Sequence, residues 1–100
     1  MYIYLLERTD RVGYDEYDSC VVVADSEEQA RFINPCEYYV WSDEQQQYGF
    51  VYSDGKVEYT KYTNNGGGWT NPSTLKVTYI GEADSQLNAG DVICSSFNAG

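Results

Sequence analysis

Histidine is missing from all 100 residues. That absence removes the Ser-His and Cys-His dyads, histidine-ligated metals and the commonest general base near neutral pH. Cations are scarce as well: six Lys and Arg stand against sixteen Asp and Glu, for a net charge of −10. Binding DNA or RNA phosphates requires a basic patch, and six scattered cations do not make one, so no direct nucleic-acid binding is expected. Long apolar runs are also lacking. The opening MYIYLLERTD turns polar after six residues, which predicts neither a signal peptide nor a membrane span. Cysteine is sparse and odd in number: Cys20, Cys36 and Cys94, with no C-x-x-C spacing. This pattern suggests neither a disulfide framework nor a zinc site, and a reducing cytoplasm is the simplest home.

What is present is organised around Tyr14–Pro35. The unbroken apolar run Cys20–Ala24 reads as a central strand with side chains to bury on both faces, and its adjacent valines favour strand through their stiff χ1. Ser26-Glu27-Glu28-Gln29 is a capping-box pattern. It predicts a helix of about eight residues, too short to persist without packing, with Asn34-Pro35 as its stop. Tyr2–Arg8, Thr74–Ile80 and Asp91–Phe97 read as further strands. Together they predict an α+β fold: a mainly antiparallel four-stranded sheet built from the two ends of the chain, with one short helix on one face, in a single domain of 1–100.

The middle of the chain reads as an insertion. Asp54-Gly55 between two alternating runs predicts a two-residue hairpin turn within 48–63. That register sets Tyr52 opposite Val57, Phe50 opposite Tyr59 and Tyr48 opposite Lys61, so that Tyr48, Phe50, Tyr52 and Tyr59 share one aromatic face. The glycine-rich stretch 64–68 reads as a flexible hinge after the hairpin. One helix covers only one face of a sheet whose valines point both ways. The expected cover for the second face is the inserted hairpin, with a second copy of the protein as the alternative.

Charge concentrates early. Residues 1–44 hold eleven carboxylates and three arginines. Tyr14, Asp15, Glu16, Tyr17 and Asp18 form the densest acidic-aromatic cluster, and Glu27 and Glu28 add charge at the helix start. The sharper reading is a contact surface for a basic partner; the plainer one is a solvated loop and a well-capped helix. No D-x-D-x-D-G ladder supports a metal site, and no catalytic constellation or cofactor motif stands out, so a non-enzyme is expected. The hairpin aromatics could stack bases, but the surplus of carboxylates favours packing or a protein interface.

The segments YLLERTDRVGYDEYDSCVVVADSEEQAR, VTYIGEA and DVICSSFNAG resemble small uncharacterised proteins encoded by tailed bacteriophages, over residues 2–34 and 69–100. The resemblance implies a protein made in the cytoplasm of an infected bacterium. Residues 36–68 depart from that pattern. The leading expectation is therefore an acidic phage protein that inhibits a host nucleic-acid-handling defence protein or ribonucleoprotein complex, of anti-CRISPR or anti-restriction type. Tyr14, Asp15, Glu16, Tyr17, Asp18, Glu27, Glu28 and the hairpin aromatics would contact the target. A self-associating accessory protein, such as a homodimer, is the alternative, and sequestration of a signalling nucleotide is a third.

Overall fold

The computed structural model describes residues 1–98; Ala99 and Gly100, which end the last resembling segment, lie outside the described residues. Strands β1 (Tyr2–Arg8) and β2 (Glu16–Ala24) lead into helix α1 (Glu27–Arg31). Then come β3 (Tyr39–Ser42), β4 (Gln47–Val51) and β5 (Val57–Glu58), a 3-10 turn at Pro72–Thr74, and finally β6 (Leu75–Glu82) and β7 (Val92–Asn98). The two ends of the chain form one antiparallel sheet in the order β6-β1-β2-β7, as the apolar runs predict. The middle forms a second sheet, β3-β4-β5, rather than a lone hairpin.

Ser26 caps α1 as its sequence implies, its side chain accepting from the Gln29 N–H at 3.2 Å. The Gln29 side chain reaches back to the N–H of Asp25, one residue before the cap. The helix stops at Phe32, short of Asn34-Pro35. With only five residues it is held by its buried Ala30, which lies in the core with Tyr4, Leu6, Cys20, Val22, Ala24 and Leu75.

The hairpin register differs from expectation by one residue. Val51 pairs with Val57 and Phe50 with Glu58, and the N–H of Tyr52 donates to the Lys56 carbonyl. A two-residue turn of the expected type needs positive φ at both central residues. Gly55 has φ +89° but Asp54 is not left-handed; its carboxylate instead accepts from the Lys56 N–H. The result is a three-residue loop, Ser53-Asp54-Gly55, and a slip of one residue reverses the facing of every side chain beyond it. Tyr59 therefore leaves the expected aromatic face and packs over Gly49, where an added Cβ would lie 2.6 Å from its ring.

Nor does the insertion cover the second face of the four-stranded sheet. Tyr48 on β4 and Trp69 are both fully buried in the cluster that contains Ala30, so helix and insertion share one face. On the other face Val23 is buried, its backbone bonded to Gly90 and Asp91, while Ile3, Leu5 and Val21 stay half-buried. The stretch 64–68 is also not the open hinge expected. Gly66 and Gly68 are buried, and the Gly68 carbonyl accepts from the N–H of Tyr17 at 2.8 Å.

Candidate functional site

The acidic-aromatic cluster begins in the β1–β2 loop, and the residue that organises it is Arg8. Its side chain is only 4% exposed. It donates twice to Asp10 at 2.9 Å, to Glu16 at 3.2 Å, and to the carbonyls of Arg11 and Tyr17 at 3.1 Å. Such a bidentate, charge-assisted arrangement fixes geometry as well as charge. The Arg8 hydrogen bonds hold the Asp10 carboxyl below its usual range, with Thr70 adding a further donor. Reading by runs and clusters passes over Arg8. The available signal was a lone arginine at a strand end with an acid two residues on and another eight residues on.

The far side of the loop is tied down too. Glu16 accepts from the Gly13 N–H, Asn98 donates to the Gly13 carbonyl, and the Asp15 N–H donates to the Asn98 carbonyl. Asp15 sits at φ +55°, a conformation aspartate tolerates better than most residues. Tyr14 is left 78% exposed at the tip. Tyr17 turns the other way, packing edge-on against Phe97 and partly against the core. Asp18 is half-buried and accepts from the Ser19 hydroxyl.

Several expected contact residues do not join this surface. Glu16 is committed to Arg8 and the Gly13 backbone. Glu27 and Glu28 follow the opposite end of β2, whose length alone puts them roughly 25 Å from Asp15, and Glu27 lies 3.7 Å from Arg31. Tyr48 is buried and its hydroxyl donates to the Thr70 carbonyl at 2.9 Å. Phe50 is half-buried among Tyr38, Tyr39 and Tyr52. Tyr52 is exposed and donates to Glu58, which raises its pKa. Tyr14, Asp15 and Asp18 remain together at the β1–β2 loop, while Glu27, Glu28, Tyr52 and Tyr59 are exposed elsewhere on the molecule.

Two concavities flank this region. One, of about 620 Å³, is lined by Arg8, Arg11, Lys61, Trp41 and Trp69 among others, and so holds half of the chain's cations. Arg8 there is already satisfied by carboxylates, and Lys61 lies over the Tyr62 ring at 5.1 Å. The other, of about 830 Å³, runs between β7 and residues 32–40. Among the described residues no group of three or more Cys, Asp or Glu is placed to hold a metal ion, and no helix is long and apolar enough to cross a membrane. Comparison with family models, with curated proteins and with solved structures finds no match to this chain.

Proposed function

We propose that this protein is a non-enzymatic, phage-encoded inhibitor that binds a basic surface of a host nucleic-acid-handling defence protein, such as a CRISPR effector or a restriction enzyme. The observation that carries the reading is the pre-organised presentation of Tyr14 and Asp15. Their loop is fixed by Arg8 and Asn98 before any partner arrives, which lowers the ordering cost of binding. Neither Asp15 nor Asp18 has a cation within ion-pair distance among the described residues. Their charge, in a chain of net −10, is available to lysines and arginines of a target. Tyr14 adds rigid aromatic area at low entropy cost.

The test is binding to purified effector complexes at low and high salt, with wild type and a Tyr14→Ala, Asp15→Lys, Asp18→Lys variant. Affinity that falls with salt and is lost in the variant supports the proposal. Affinity indifferent to both rejects it. The half-buried Ile3, Leu5 and Val21 on the uncovered sheet face favour one second reading, self-association through that face. Sedimentation of the protein alone separates the two.

A further inference from the structure

The edges of the four-stranded sheet are treated differently. β6, at one edge, carries Lys76 and Glu82, and charges on an edge discourage strand addition. β7, at the other edge, reads VICSSFN and is the only strand of that sheet without a charged residue. Six of its seven residues are exposed. No loop or side chain among the described residues bonds the main chain of 92–97 from outside the sheet. An edge of this kind offers a row of free N–H and C=O groups to an extended chain.

The groove of about 830 Å³ lies beside this edge. Ile33, Tyr39 and Val92 line it, and all three pack against the core, giving firm apolar walls for alternate side chains. Its charged lining residues are Glu37 and Asp91, with no lysine or arginine among them. Main-chain pairing, alternate apolar pockets and a negative rim are the requirements for strand addition by a basic extended peptide.

We propose that the β7 groove receives an extended, lysine- or arginine-bearing segment of another protein, which adds to the sheet as a fifth strand. This goes beyond the inhibitor reading and uses neither Tyr14, Asp15 nor Asp18. Because Phe97 and Asn98 pair with Tyr17 and Glu16, such a segment would end beside the Tyr14 loop.

The test is an amide NMR titration of the intact protein with blocked heptapeptides: alternating Lys-Val, alternating Glu-Val, and Lys-Val methylated on alternate backbone nitrogens. The Lys-Val peptide is expected to shift the 92–97 amides and the other two to leave them unchanged. A Glu37→Lys, Asp91→Lys variant should weaken Lys-Val binding roughly fivefold, and a charge-matched Glu44→Lys, Glu82→Lys variant should stay within about twofold. A Tyr14→Ala, Asp15→Lys variant should respond as wild type does, so this proposal and the inhibitor reading can fail separately. No shift with Lys-Val, an equal response to the Glu-Val or methylated peptide, or concentration-dependent shifts of the same amides without peptide would overturn it. The last outcome would make a second copy the occupant.

Discussion

Asn34 and Gly66 are locked together across 32 residues of sequence. The Asn34 Nδ2 donates to the Gly66 carbonyl at 2.9 Å while its Oδ1 accepts from the Cys36 N–H at 2.7 Å. Gly66 has φ +65°, and an added Cβ would lie 2.5 Å from the Asn34 Nδ2 and 2.7 Å from the Tyr48 ring. Both backbone conformation and space therefore demand glycine. Gly66→Ala should destabilise by about 3 kcal/mol. Gly55→Ala has the same left-handed strain (φ +89°) with nothing within 4 Å, and should cost only about 1 kcal/mol. Urea unfolding of the two variants checks the contrast.

Arg8 gives the fold an acid-sensitive joint. The Asp10 carboxyl, held low first by its hydrogen bond to Arg8, adds stability that is fully present above its unfolded value near 3.9. That stability is lost as pH falls through the lower folded value. Arg8→Met should cost on the order of 2 kcal/mol at neutral pH, less than a fully buried pair because Asp10 and Glu16 reach solvent. Asp10→Asn should flatten the loss of stability below about pH 4. Thermal melts from pH 2 to 7 measure both effects.

Trp69 is fully buried, and its indole Nε1 is the one buried side-chain polar atom without a partner among the described residues. An unmatched donor costs about 1–3 kcal/mol. Trp69→Phe removes it and keeps most of the ring, so the lost area and the relieved donor should roughly cancel. Trp69→Ala should cost about 4 kcal/mol. A Trp69→Phe variant as damaged as Trp69→Ala would show that the donor is served in solution.

The three thiols should separate by accessibility. Cys20 is buried, Cys36 intermediate and Cys94 exposed. Burial pushes the Cys20 thiol up to about 12, with the neighbouring Cys94 contributing. Since only the thiolate reacts, iodoacetamide at pH 8 should label Cys94 first and Cys20 only after unfolding, as peptide mapping would read. A proton held on Cys20 in the native state also stabilises below the unfolded value near 8.5. That contribution declines as pH rises through about 12.

The outer sheet was legible in the sequence because its signals are local. Val21–Val23 with Cys20 and Ala24 mark β2, and Ser26 with Gln29 marks the helix start. The hairpin was legible only as a turn. Asp54-Gly55 fits a two- or a three-residue loop, and the choice depends on whether Asp54 adopts positive φ or accepts from Lys56. The destination of Tyr48 was not legible, since apolar residues at alternate positions do not say which body they pack against. The Arg8 network escaped notice because its partners come from separate turns and strands. Of the proposed acidic surface, the sequence pattern marks Tyr14, Asp15 and Asp18, but it groups them with Glu27 and Glu28 by composition, where distance along β2 separates them.

The burial of Tyr48 and Trp69 against the outer sheet bears on how this chain could have been assembled. An insertion that merely decorates a scaffold can be excised, leaving the scaffold intact. Here the middle of the chain supplies Tyr48, one of the two largest fully buried side chains, and anchors it by its hydroxyl to Thr70 beyond the glycines, next to the other, Trp69. Cutting out 36–68 would remove Tyr48 from the cluster that holds Leu6, Cys20 and Val22 and leave a vacancy there. The two ends and the middle therefore share one core, and any chain sharing only the ends must fill that space with a different wedge.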